Sequence, residues 1–208
     1  MTTATYRANL PQMNGRTLLT DGGIETTLIF HEGFDLPLFA SYVLLDDDTK
    51  GRKALRDYYA RYIDIARDTR SGFVLESPTW RCSRDWGARL GHDADRIAAF
   101  NRDAIALMEE LRRDAGIDEP IVISGNIGPR GDGYAPDALQ TPEAAEAYHA
   151  HQVGALAATE ADLVTALTMT HVGEAAGVAR AAAAAGIPSV VSFTVETDGR
   201  LPSGQPLG

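Results

Sequence analysis

The sequence is nearly free of cysteine. Cys82 stands alone, so no intrachain disulfide can form, and a reducing compartment such as the cytoplasm fits the chain. Basic runs are missing too, and the formal net charge is −10. That balance offers no electrostatic footprint for nucleic acid and no patch for an anionic membrane surface. No apolar run approaches the ~18 residues that a membrane-crossing helix needs. Residues 1–13 are polar and lack the apolar centre of a secretory signal. No GxGxxG follows the first apolar run, which weakens the case for a dinucleotide-binding sheet. The run Asp46-Asp47-Asp48 lacks the glycine and terminal glutamate of a calcium loop, so it reads as a solvated turn or helix cap. What remains is the composition of an ordinary soluble protein. Its 208 residues suffice for one domain with a sizeable core, or for most of a larger one.

Against these absences stands a regular alternation. A short apolar run over 17–20 ends abruptly on Asp21-Gly22-Gly23. Similar runs occupy 72–79, 120–125, 162–168 and 187–193, and they suit strands buried on both faces. Between them lie helical patterns. Over 52–67, Leu55, Tyr58, Tyr59, Tyr62, Ile63 and Ala66 fall on one face. Asp93 or Asp95 is placed to cap a helix reaching about Asp114. Thr141 caps a helix with Pro142 at its first position, running to about Glu160. An alanine-rich helix over 174–185 stops at Gly186. Strands alternating with helices predict an α/β fold with a parallel sheet, either a (β/α)8 barrel or a doubly wound open sheet. Each strand ends on small or polar residues, as the rim of a barrel requires, so a TIM barrel is the expectation. Eight strands close a barrel and five are legible. The chain is therefore expected to be an incomplete barrel of about five βα units, a single domain over 1–208 truncated at its C-terminal side from a chain of roughly 300 residues. An open sheet edge at that point favours association into a homo-oligomer.

Strand ends are where such folds place ligands, so the candidates come from there. Asp21 is the foremost, with Gly22 and Gly23 able to bring backbone N–H groups close to a ligand. Glu25, just past the turn, is either a supporting acid or a helix N-terminal stabiliser. Glu76 ends the second strand. The glycine-rich stretch 125–131, with Gly125, Asn126 and Gly128, can present N–H groups, and Arg130 adds a cation there. Trp80 and Trp86 are candidates for stacking on a sulfonium or quaternary ammonium, although such aromatics more often pack a core. His149 and His151 are two apart on a helix and do not face each other, so they do not read as a metal pair. His171 follows the fourth strand at the rim.

In their order, Asp21-Gly22-Gly23 with Glu25-Thr26, Thr79-Trp80, the 125–131 loop, Tyr148 and Gln152, Ala161-Asp162-Leu163, Ser192-Phe193-Thr194 and Gly199…Leu201…Gly204 resemble the homocysteine S-methyltransferase family. The resemblance runs from about residue 16 to 208. It implies a (β/α)8 barrel and methyl transfer to the thiol of homocysteine from a sulfonium or related donor. It implies a small-molecule amino-acid thiol and a methyl donor as partners. It implies substrate contacts at Asp21, Gly22, Gly23, Thr79, Gly125, Asn126, Gly128 and Thr168, to which Glu76 is added from its place at the end of the second strand, where the family more often has small polar residues. It also implies zinc, which holds a thiolate at neutral pH by lowering the thiol pKa. The family's three zinc cysteines are absent from this chain, since Cys82 follows the second strand, so no metal ligand is assigned. The family also carries a Glu-Thr pair at the end of the fourth strand, where this chain has Leu167-Thr168. Glu76, beside Asp21, is expected to take the substrate's cationic end instead. The Leu167 change leaves open a different amino-acid or thioether substrate, and the missing cysteines leave open a ligand-binding fragment without catalysis.

Overall fold

The computed structural model describes residues 4–134 and 138–206. The first three residues of the polar 1–13 stretch and the terminal Gly208 lie outside them. Five strands stand side by side, all parallel and in chain order: β1 (Leu18–Thr20), β2 (Gly72–Glu76), β3 (Ile121–Ile127), β4 (Leu163–Met169) and β5 (Ser189–Phe193). The unbroken order decides between the two architectures. A doubly wound sheet reverses its strand order at a switch point, whereas an unreversed order curls the sheet into an arc. The molecule is such an arc, an incomplete barrel.

The side-chain period of two explains how the strands are buried. Phe73, Leu75, Ile121, Ile123, Val164 and Ala166 point outward and join the core beneath the helices. The alternate residues line the concave inner wall. There the register sets Glu76 beside Ser124, and Asn126 beside Thr165. The hydroxyls of Ser124 and Thr165 lie 2.7 Å apart across β3 and β4.

Helices α2 (Gly51–Thr69), α4 (Ala94–Asp114), α5 (Pro142–Ala157) and α6 (Val172–Ala184) fall where the periodicity predicts. The caps agree with the sequence: Asp93 accepts from the Arg96 N–H at 2.8 Å, and Thr141 from the Ala144 N–H at 3.2 Å. Asp47 accepts from the N–H groups of Thr49 and Lys50, so the Asp46–Asp48 run is a turn cap. Two further helices, α1 (Ile24–Phe30) and α3 (Arg84–Arg89), escaped the pattern because each is too short to display a stripe. Helix α5 ends at Ala157 rather than near Glu160. The Arg7 guanidinium donates there to the carbonyls of Ala157, Thr159 and Ala161, answering acceptors that the helix leaves unpaired.

A buried charge ties the N-terminal end of the sheet together. Asp162, fully buried, accepts from the N–H groups of Ile123 (2.9 Å) and Tyr6 (2.6 Å) and pairs with Arg112 at 3.1 Å. Among the described residues no helix is long and apolar enough to cross a membrane.

Candidate active site

At the carboxyl ends of the strands lies a cavity of about 590 Å³, within the range of small-molecule sites. Its wall draws on four strand ends in turn: Asp21 to Gly23 after β1, Glu76 on β2, Asn126 on β3, and Leu167-Thr168 on β4. Glycine at position 22 has a steric reason. A Cβ there would stand 2.7 Å from the Tyr62 hydroxyl of α2. The neighbouring Tyr58 hydroxyl lies 2.9 Å from Asp21 Oδ2 and 2.8 Å from the Gly22 carbonyl, and it donates to them. The α2 tyrosines thus hold the β1 turn from behind.

The electrostatics are those of acids short of a cation. Burial pushes Asp21 up to about 7, with the Glu25 charge adding and the Tyr58 hydroxyl opposing. Glu76, 9% exposed, is likewise pushed up to about 7 by burial. The hydroxyls of Ser124 and Thr165 oppose that shift, and the Asp21 charge adds to it. Burial also raises Glu25, whose Oε1 accepts from the Ser41 hydroxyl at 2.7 Å. Among the described residues, two buried acceptors in the wall, Glu76 Oε2 and Asn126 Oδ1, have no donor. Buried acceptors are almost always satisfied, so this pair marks a place completed by something else.

The same cavity is lined by Arg81, on the loop after β2. Its guanidinium lies over two indoles, 4.1 Å from the Trp80 ring centroid and 3.7 Å from that of Trp86. Nη1 donates to the Gly131 carbonyl at 3.1 Å. Burial lowers its pKa to about 10, against the pull of Asp132 and Glu25. The sequence reading missed Arg81, although a cation directly after the Thr79-Trp80 rim pair is a legible signal. It also missed Tyr58, whose role depends on the packing of α2 against the β1 turn.

The structure gathers Asp21, Gly22, Gly23, Glu76, Asn126 and Thr168 on one cavity and sets three other expected contacts apart from it. Thr79 is fully buried beneath the wall, its hydroxyl donating to the Asn126 carbonyl at 2.7 Å. Gly125 lies on the outward face, where a Cβ would press on Leu156 of α5. Gly128 backs onto Trp80: a Cβ would stand 2.3 Å from the Trp80 carbonyl, so its lack of a side chain serves close packing of two loops. Thr168 sits in a bulge of β4 with φ of 56°. Its hydroxyl accepts from Trp80 Nε1 at 3.1 Å, which holds this strained residue at the wall.

Other expectations are displaced by neighbours. The faces of Trp80 and Trp86 expected to meet a sulfonium already carry Arg81. Arg130 pairs with Asp85 at the exposed surface, at 2.7 Å, rather than lining the cavity. His171, expected at the rim, is buried: its Nδ1 accepts from the Glu174 N–H and caps α6. Glu174 in turn accepts from the Arg130 N–H at 2.6 Å and lies 2.9 Å from His149 Nε2. Both histidines thus brace the glycine-rich loop from outside.

The zinc implied by the resemblance does not fit these residues. A zinc site needs several thiolate, imidazole or carboxylate groups converging on one point, and the family's sulfur ligands would have to be thiolates. Cys82 is fully buried against α4, with Asn101 Nδ2 3.2 Å from its sulfur, and burial pushes its thiol well above the ordinary value. Among the described residues, no three His, Cys, Asp or Glu side chains converge to hold a metal.

Comparison with known proteins places this geometry. A family model described as homocysteine S-methyltransferase matches residues 18–208. No curated protein matches the chain. Three crystal structures of the homocysteine methyltransferase MmuM from Escherichia coli share the fold. The oxidized form has a TM-score of 0.79 at 21% identity, over 98% of this chain and 70% of that one. The metallated form has a TM-score of 0.75 at 21% identity, over 95% and 70%. The apo form has a TM-score of 0.67 at 22% identity, over 97% and 68%. The five-stranded arc is therefore the corresponding part of a TIM barrel.

Proposed function

Since the chain belongs to the homocysteine S-methyltransferase family, we propose that its cavity binds an amino-acid thiol, homocysteine in the first instance, for methylation by a sulfonium or related donor. In that reaction the thiol gives up its proton to solvent and its sulfur attacks the donor methyl. The new carbon–sulfur bond forms as the donor's breaks, and the donor leaves as a neutral thioether. Asp21, Glu76 and Asn126 receive the substrate's ammonium group, and Gly22 and Gly23 allow the close approach. Residues 1–208 belong to a single barrel domain, a reading that the unreversed order of the five strands supports.

The observation that carries this reading is the uncompensated acid of the wall. Asp21 and Glu76 are both raised to about 7, and Glu76 Oε2 and Asn126 Oδ1 lack donors among the described residues. A primary ammonium supplies one positive charge and three N–H donors, which answers both deficits at once. Leu167 in the same wall favours a second reading, an amino-acid or thioether acceptor with a more apolar side chain than homocysteine.

The test is a panel of thiol and thioether acceptors offered to the intact protein with a sulfonium donor, followed by titration calorimetry. Homocysteine should be methylated, and Glu76→Gln should weaken its binding about tenfold or more. Methylation of no thiol in the panel, or unchanged affinity in the variant, defeats the proposal.

A further inference from the structure

From the setting of Arg81 we infer that its guanidinium anchors a carboxylate of the ligand, in the same cavity as the acids that take the ammonium group. The inference rests on the reading of the cavity as an amino-acid site and adds a residue that fixes its selectivity.

Among the described residues, Arg81 is the one Lys or Arg side chain that lines the cavity, alongside Asp21, Glu25, Glu76 and Asp132. A cation kept 6% exposed in such a place has been desolvated at a cost, which burial's downward pull on its pKa records. Its donors are incompletely used. Among the described residues its hydrogen bond is the one from Nη1 to the Gly131 carbonyl, and Nε is buried without a partner. Its Cζ lies over both the Trp80 and the Trp86 ring, which holds the guanidinium in place and leaves N–H donors to recognise a ligand. A planar, prepositioned N–H edge suits a carboxylate. The four acids around the cavity disfavour a phosphate, whose double charge one guanidinium does not offset. The cavity thus presents both acceptors and one cation, the combination a zwitterion site needs.

A carboxylate could belong to the thiol acceptor or to the methyl donor, and the experiment separates them. Binding to the intact protein is measured by calorimetry for L-homocysteine and for 3-aminopropanethiol, its counterpart without the carboxylate. The same is done for S-methylmethionine and for (3-aminopropyl)dimethylsulfonium, its counterpart without the carboxylate. Wild type should bind the carboxylate-bearing member of at least one pair about 10- to 100-fold more tightly. Arg81→Gln should abolish that preference while leaving the carboxylate-free partner's affinity unchanged. Arg81→Lys should restore part of it. Loss in the homocysteine pair assigns the anchor to the acceptor, and loss in the sulfonium pair assigns it to the donor. Equal weakening of both members shows that Arg81 only packs the loop and overturns the inference, as does a preference that survives in Arg81→Gln. Should that variant not fold, the wild-type comparison of homocysteine with its carboxamide decides, and equal affinity overturns the inference. If carboxylate preference appears but no thiol is methylated, the proposed reaction fails while the Arg81 assignment stands.

Discussion

Replacing Glu76 with glutamine probes the cavity's electrostatics without any ligand. Burial raises this carboxyl from 4.5 to about 7, so the folded protein keeps its proton to higher pH than the unfolded chain does. The stabilisation from that proton is fully present below about 4.5 and is lost as pH rises through about 7. Within that window the loss runs at about 1.4 kcal/mol per pH unit, which amounts to about 3 kcal/mol in all. Above the window both states are ionised and the loss is constant. Glutamine keeps the shape of the side chain but never ionises. Glu76→Gln should therefore unfold within about 1 kcal/mol of wild type at pH 5 and be more stable by up to about 3 kcal/mol at pH 8. Urea unfolding followed by circular dichroism reads this as a midpoint shift of about 1–2 M that grows with pH. Asp21, also raised to about 7, is still present in the variant, so some pH dependence persists. A stability difference that is the same at pH 5 and pH 8, or that shrinks as pH rises, refutes the reasoning.

Two predictions concern the supports of the site. Gly128→Ala sets a methyl 2.3 Å from the Trp80 carbonyl, to which the Gly128 N–H also donates at 3.0 Å, so neither loop can yield freely. It should cost about 1–3 kcal/mol and shift the tryptophan fluorescence, whereas an unchanged melting curve and spectrum would show that the loops do not pack in this way. Asp162→Ala strips the nearer of two carboxylate partners from Arg112, the other being Glu160 at 3.5 Å, and the acceptor from the buried Ile123 N–H and the half-buried Tyr6 N–H. A loss of about 3–5 kcal/mol in chemical denaturation is expected, and a loss below 1 kcal/mol would mean that the charge is solvated rather than buried.

Much of the fold was legible because it rests on local chemistry. The apolar runs that became β2, β3, β4 and β5, and the caps at Asp93 and Thr141, are short-range signals with a fixed period or position. Helices α1 and α3 were not legible, since 7 and 6 residues make too short a stripe. Within the site, Asp21 and Glu76 could be singled out because a strand end announces the rim. The different orientations of Asn126 and Gly125 could not be separated from their shared glycine-rich loop. They are adjacent in sequence, yet the pleat sends Asn126 into the cavity and turns Gly125 toward α5.

The sequence by itself determined the order of elements, the parallel sheet and the acids at the strand ends, because these follow from composition and period along the chain. Only the tertiary structure decided which of those residues share a cavity. It settled Trp80 and Trp86, read as either ligand platforms or packing, against the guanidinium of Arg81. It also moved His149 and His171 behind the wall, to Glu174. Those outcomes depend on how separate segments pack, as where His149 meets Glu174 25 positions away, and on how far burial shifts a charge. Neither quantity exists until the chain has folded.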